Sequence, residues 1–283
     1  MIYLDNAATT RLEDVSLNAM LPFLKEEYGN ASAVYELARN SKKAVFAARR
    51  QCASLLGAQP NEIFFTSGGT ESDNWALTGA VERTRNSGTV PLFPCSTPHI
   101  ITTAIEHHAI LRTAEYLESH GVEVTYLKPD SEGFISPAQV LDAIRENTVL
   151  VSVMTANNEI GTIEPVCEIA DAVHSVRKDI LVHTDAVQAF GQIRLDEFAK
   201  HVDLLSASSH KLGGPKGVGL LYIRDGVKFG PLSGAECRRA EEGAVRRIFR
   251  VSWASERLQR LLLQELMQKW PKKPHFVTEY LQK

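Results

Sequence analysis

The sequence predicts an α/β fold: a mostly parallel, seven-stranded sheet with helices on both faces. Three observations carry that expectation. Seven short apolar or β-branched runs recur along the chain, and longer amphipathic stretches separate most of them. The chain has 283 residues, 44% hydrophobic and 23% charged, which matches a globular protein able to bury a substantial core. Strand and helix alternating in this way argues for parallel pairing with helices packed above and below.

The elements follow in order. "ELARNSKKAVFAARRQCASLL" (36–56) has helical spacing and no internal glycine or proline, so a helix precedes the sheet. The strand runs are "EIFFT" (62–66), "HIITTA" (99–104), "VEVTYL" (122–127), "VLVSVM" (149–154), "ILVHT" (180–184) and "DLLSAS" (203–208). Helical stretches are expected around 72–86, 108–120, 136–146 and 165–178. The seventh run, "VGLLYI" (218–223), follows a glycine and proline turn too closely for a helical crossover, so it pairs antiparallel to its neighbour. From about residue 234 the chain becomes arginine-rich with no visible partner strand.

Composition narrows the function. A net charge of −3 with both signs interspersed gives no electrostatic reason to bind nucleic acid or an anionic membrane. The start, "MIYLDNAATT", lacks a signal-peptide pattern and no run is long and apolar enough to span a bilayer, so a cytoplasmic location is expected. Cys52, Cys95, Cys167 and Cys237 are widely spaced, which argues against a disulfide framework and a structural zinc site. No metal is expected.

Polar clusters fall at the ends of the predicted strands, where parallel sheets gather ligands. "TSGGTESDN" (66–74) opens a helix whose first N–H groups, around Gly69 and Thr70, form either an anion site or an ordinary cap. Asp185 in "HTDAVQAF" (183–190) either caps a helix or serves a ligand. "ANNEIG" (156–161) reads equally as a turn, and "AIEHHAIL" (104–111) sets two histidines at a helix start with Glu106 as a polar rim. Lys211, in "SASSHKLGGPKG" (206–217), has no acidic neighbour in sequence. Partial desolvation would lower its pKa and leave a neutral amine able to form a Schiff base with an aldehyde. A phosphate cradle, an aspartate and a lysine at successive strand ends are the parts that pyridoxal phosphate needs.

In order and wording, "YLDNAATT" (3–10), "TSGGTESDN", "EHHAI" (106–110), "NNEIG" (157–161), "HTDAVQ" (183–188) and "SSHKLGGPKGVG" (208–219) resemble the cysteine desulfurases of the class V aminotransferase group. These are fold-type I pyridoxal-phosphate enzymes that take sulfur from L-cysteine, leaving L-alanine and a persulfide for iron–sulfur cluster or thio-cofactor assembly. The resemblance implies that Lys211 condenses with the cofactor aldehyde and later shuttles the Cα proton. It places Asp185 at the pyridine nitrogen, Gln188 at the ring oxygen, His107 stacked on the ring for acid–base steps, and Asn158 beside substrate or ring oxygen. Thr70, Ser208 and His210, with the Gly69 loop, would bind the phosphate. It also implies a homodimer and a sulfur-acceptor or scaffold protein as partner.

Residues 1–14 would be a segment of the small domain and 15–233 the cofactor-binding large domain. The resemblance departs at Tyr35, where the family pattern has histidine, and stops at about residue 233. The family's R-x-G-T-x-N segment, its loop with the nucleophilic cysteine and its carboxylate-binding arginine are not readable beyond that point. Reading each codon of Glu242 to Arg257 from its third base can encode "RSGTENIPGIVGFGK", which restores the missing motif. A frameshift near residue 233 is therefore expected, with 234–283 an aberrant segment and the desulfurase activity impaired. A pyridoxal-phosphate lyase or aminotransferase that needs no cysteine nucleophile, and an inactive remnant that binds cofactor or partner, are the rival readings.

Overall fold

A computed structural model describes residues 2–85 and 97–228. Within them the chain runs α1 (Asp14–Lys25), α2 (Glu36–Leu56), β1 (Ile63–Thr66), α3 (Gly69–Arg85), β2 (His99–Thr103), α4 (His108–Ser119), β3 (Glu123–Leu127), α5 (Pro137–Ala143), β4 (Thr148–Ser152), α6 (Val166–Val176), β5 (Leu181–Asp185), α7 (Phe198–His201), β6 (Leu204–Ser208) and β7 (Gly219–Ile223). The seven strands form one sheet in the order β1-β7-β6-β5-β4-β2-β3. Pairing is parallel from β3 to β6, and β7 is antiparallel to both β6 and β1. The expected α/β sheet and its single reversed strand are both present. Residues 234–283, Cys95 and Cys237 lie outside the described residues.

The strands read as continuous apolar runs because helices cover both faces. Successive side chains point to opposite sides, and the core divides accordingly. Ile101, Val151, Val182, Leu205 and Leu220 pack with Val45, Ala48 and Leu56 of α2 and Ile169 and Val173 of α6. Their sequence neighbours Ile100, Leu150, Leu181, Leu204 and Leu221 pack with Ala76, Leu77 and Ala80 of α3 and Ile110, Ala114 and Leu117 of α4. The α2 helix ends where Gly57 turns left-handed, at φ 69°, and the next N–H, of Ala58, returns to Ala53 O at 2.9 Å.

Three differences from the sequence expectation have local causes. The α1 helix was not expected: Pro22 stands inside it and blurs its helical pattern. The α5 helix ends early, at Ala143, because Thr148 Oγ1 takes the Arg145 N–H at 2.7 Å and Ile144 is extended. The α3 helix begins three residues before the expected position, directly on the glycine turn that follows β1.

One rung of the sheet assembles the site. Gly219 opens β7 and is paired with Thr66 at the end of β1 and with Ser208 at the end of β6. The turn after β1 and the lysine loop after β6 are thereby neighbours, although more than 130 positions separate them. Only glycine fits there, since a Cβ on Gly219 would lie 2.6 Å from the carbonyl carbon of Gly68 and 2.8 Å from Ala207 O. Gly219→Ala is expected to destabilise the fold by about 1–3 kcal/mol through overpacking against backbone. A denaturant midpoint at constant m-value measures it.

Candidate active site at the carboxyl edge of the sheet

The carboxyl ends of β1, β2, β4, β5 and β6 share one edge, and an open cleft lies on it. Its empty space is about 590 Å³, open mouth included. Gly69, Thr70, His107, Asn158, Asp185, Gln188, Ser208, His210 and Lys211 all line it. All nine residues singled out from the sequence therefore meet in one place.

The phosphate-type end is built by the turn from β1 into α3. Thr66 Oγ1 lies 2.7 Å from Ser72 Oγ, and Ser72 Oγ also donates to Leu220 O at 2.9 Å, which ties the start of α3 to β7. The helix therefore points its unpaired N–H groups and positive dipole end, at Gly69 and Thr70, into the cleft. Gly69 packs close under Val187: a Cβ there would meet Val187 Cγ2 at 2.5 Å.

Lys211 follows β6 on a short turn and is half-buried. Its Nζ donates to the carbonyls of Ala7 and Ala8, the latter at 3.1 Å. Burial holds its pKa below the usual lysine value, against the opposing pull of Asp185 and Asp5. The N-terminal segment is laced to the same turn. Thr10 N and Oγ1 donate to His210 O at 2.8 and 2.9 Å, and Gly213 N donates to Thr10 Oγ1 at 2.6 Å. Thr9 Oγ1 lies 3.1 Å from His210 Nδ1, and burial followed by the charge of Lys211 lowers the His210 pKa.

Asp185 ends β5 as a buried carboxylate, and its Oδ1 accepts the Val187 N–H at 2.8 Å. Burial raises its pKa, while that hydrogen bond and then His107 and Lys211 pull it back. His107 is the N-cap of α4. Its Nδ1 accepts the Ala109 N–H at 3.1 Å, which leaves Nε2 as the nitrogen available for chemistry. The two asparagines divide their work. Asn157 Nδ2 donates to Ile105 O at 2.7 Å and its Oδ1 accepts from Glu159 N and Ile160 N, so it holds the turn. Asn158 is left facing the cleft.

Glu106 is a correction. It is not a polar rim but is buried, with Oε1 accepting from Met154 N at 2.8 Å and Thr103 Oγ1 at 3.0 Å. Burial, and next the nearby Asp185, push its pKa up to about 8. Sequence reasoning also passed over Asp73, a buried carboxylate in the cleft wall. A signal existed, because Asp73 stands four residues after Gly69 and so shares its face of α3.

The donor set fits pyridoxal phosphate. A helix N-terminus with two hydroxyls and His210 suits a phosphate, a buried carboxylate suits a protonated ring nitrogen, and a half-buried amine suits an aldehyde. Gln188 adds an amide whose Oε1 is buried with no hydrogen-bond partner among the described residues.

Comparisons with known proteins give the family. The profile of the family "Aminotransferase class-V", a group of pyridoxal-phosphate enzymes, matches residues 2–239. The cysteine desulfurase IscS of Methanosarcina thermophila is 48% identical over 244 residues, covering 86% of this chain and 58% of that protein. The cysteine desulfurase IscS of Clostridium botulinum (strain Kyoto / Type A2) is 51% identical over 227 residues, covering 80% and 54%. The chain thus spans a little over half the length of these curated relatives. Among solved structures, a NifS-like protein superposes with a TM-score of 0.83 at 38% identity, over 94% of this chain and 71% of that one. DndA from Streptomyces lividans does so with 0.77 at 35%, over 94% and 74%. With the cleft, the sheet order and the family profile in agreement, the chain belongs to the class-V aminotransferase family and is similar to its cysteine desulfurases.

Proposed function

We propose that the chain binds pyridoxal phosphate and derives from a cysteine desulfurase, converting L-cysteine to L-alanine and passing the sulfur as a persulfide to an acceptor or scaffold protein. The observation that carries this reading is the convergence of Lys211, Asp185 and the N-terminus of α3 on one cleft. The bound cofactor supplies an electron sink for negative charge at the substrate Cα.

The chain's own residues do the rest. Lys211, its amine made less basic by burial, would be the residue that holds the aldehyde end of the cofactor and carries the Cα proton. Asp185 would favour a protonated ring nitrogen, and the Gln188 amide would serve the ring oxygen. His107 Nε2 serves acid–base steps at the mouth, where Asn158 orients the substrate. Gly69, Thr70, Ser208 and His210 hold the phosphate. Residues 1–14 belong with a small domain, 15–233 form the large one, and the active form is a cytoplasmic homodimer. Among the described residues no helix is long and apolar enough to cross a membrane.

The persulfide step needs a cysteine thiolate, and no cysteine lines the cleft among the described residues. Cys52 is buried in α2, and burial, with Glu168 next, pushes the Cys167 thiol up to about 11. An impaired desulfurase, with a lyase or aminotransferase as the rival, remains the reading drawn from the sequence, where the family's cysteine loop is not readable beyond about residue 233. The match to the family profile ends at residue 239, which fits a changed reading frame after about 233.

Full-length chain loaded with pyridoxal phosphate and given L-cysteine decides among these. Alanine together with protein-bound persulfide supports the desulfurase, and pyruvate with free sulfide supports the lyase. Cofactor binding with no turnover supports the remnant. Failure to bind the cofactor overturns the reading of the cleft.

A further inference from the structure

Beneath the cleft lies a second carboxylate that the roles above leave unused. Asp73 is 1% exposed, and no hydrogen bond reaches its Oδ1 among the described residues. One ligand oxygen of Asp73, one of Asp185 and a ring nitrogen of His107 all lie within 4.8 Å of one another. Two buried carboxylates so close cannot both ionise without a cation between them. His183, the imidazole that faces Asp73 Oδ1, does not provide one.

The groups facing Asp73 come from four elements. His183 of β5 places Nε2 3.8 Å from Asp73 Oδ1. That imidazole is fully buried between Ser152 Oγ at 2.9 Å and Ser206 Oγ at 3.0 Å, and burial lowers its pKa to about 3, so it is neutral. Asp185, also on β5, and Glu106, in the turn before α4, are further acids that repel a charge on Asp73. Ser206 of β6, whose Oγ lies 3.0 Å from His183 Nε2, pulls the pKa of Asp73 down. His107, at the N-cap of α4, lies within the same cluster. Asp185 is better placed to stay charged, for it has the Val187 N–H and the fields of His107 and Lys211.

We propose that Asp73 is a positioning residue that carries a proton beside Asp185, leaving a single carboxylate charge under the bound ring; this rests on the cleft being a pyridoxal-phosphate site. One ring cation then meets one anion. A doubly ionised pair would overcharge the floor, and a proton on Asp185 would remove its partner for the ring nitrogen. The protonated acid also has an O–H to donate, which an ionised Asp73 would lack. Asparagine reproduces that neutral, donor-bearing shape, so Asp73→Asn is the conservative variant.

The test begins on the full-length chain without cofactor, so its outcome does not depend on cofactor binding. With aspartate carboxyls labelled with carbon-13, infrared spectra at neutral pH should contain a protonated-carboxyl band that shifts in heavy water and is lost in Asp73→Asn. Absence of that band from the wild type overturns the proposal, as does its undiminished persistence in the variant. Thermal melts give the second readout. A native pKa raised above the unfolded value of about 4 makes wild-type stability fall as pH rises, until the native pKa is passed. The melting temperature of Asp73→Asn should therefore gain on that of the wild type from about pH 4 upward; a variant that falls behind as pH rises overturns the proposal. Once cofactor is added, Asp73→Asn should bind it within about threefold of the wild type, and a loss beyond about tenfold means that the charge on Asp73 is the working feature. A wild type that has the infrared band but binds no pyridoxal phosphate contradicts the reading of the cleft and leaves the proton on Asp73 standing.

Discussion

Lys211→Ala is expected to abolish the new visible absorption band that pyridoxal phosphate gives with the wild-type protein, and to remove turnover of L-cysteine. Losing the proton carrier alone lowers a rate by about 10²–10⁴-fold, and losing the nucleophile adds to that. The fold should survive. The amine's partners are the carbonyls of Ala7 and Ala8 in an exposed turn, and Thr10 and Glu13 still fasten the segment after it to the lysine turn through His210 and Gly213. The expected stability loss is about 1–3 kcal/mol, the range that covers hydrogen bonds from a neutral or a charged amine. Lys211→Arg keeps the positive charge and most of the bulk but has no amine that can deprotonate, so it should also lack the band. A band of wild-type size in either variant would remove Lys211 from the chemistry. The wild-type rate of cofactor capture should rise tenfold per pH unit at low pH, as the neutral amine fraction grows, and level off below the ordinary lysine pKa of about 10.4. The early plateau follows from burial, which lowers the amine's pKa.

Asp185→Asn is expected to separate cofactor binding from stability. The amide retains Oδ1 as acceptor for the Val187 N–H, so the end of β5 keeps its geometry while the charge disappears. A hydrogen bond to a charged group is worth about 1.5–3 kcal/mol, so affinity for pyridoxal phosphate should fall roughly 10- to 150-fold, measured by titration of the absorption band. The cofactor-free protein should move the other way. Asp185 is buried beside Asp73 and has a raised pKa, so its ionisation opposes folding as pH rises through the native value. The variant should therefore melt higher than the wild type at neutral and alkaline pH. This is the trade expected of a site that holds like charges together for a ligand. Unchanged affinity in Asp185→Asn would end the assignment of this carboxylate to the ring nitrogen.

How much of this was legible beforehand differs by residue. The strands could be read because both faces of the sheet are covered, which makes runs such as "VLVSVM" and "ILVHT" apolar throughout. The antiparallel β7 followed from the shortness of the connection before it. Lys211 stood out because it follows a strand end with no acidic neighbour in sequence, whereas Asp185 read equally well as a helix cap until the order of the motifs was taken into account. Glu106 did not stand out, since nothing local distinguishes an exposed acid beside two histidines from one that folds inward to bind Met154 N and Thr103 Oγ1. The α1 helix was hidden by Pro22.

What the sequence determined by itself was the alternation of strand and helix, the polar residues at strand ends and the resemblance carried by their order. These are local properties, set by side-chain periodicity, turn chemistry and motif spacing. The tertiary structure alone decided which ends meet. Thr66 and Ser208 come together because both pair with Gly219, and Asp73 reaches Asp185 because α3 packs over the strands that carry it. The charge state of that acid pair is likewise a tertiary property. It arises from burial and from distances between residues more than 100 positions apart, to which no local pattern in the chain responds.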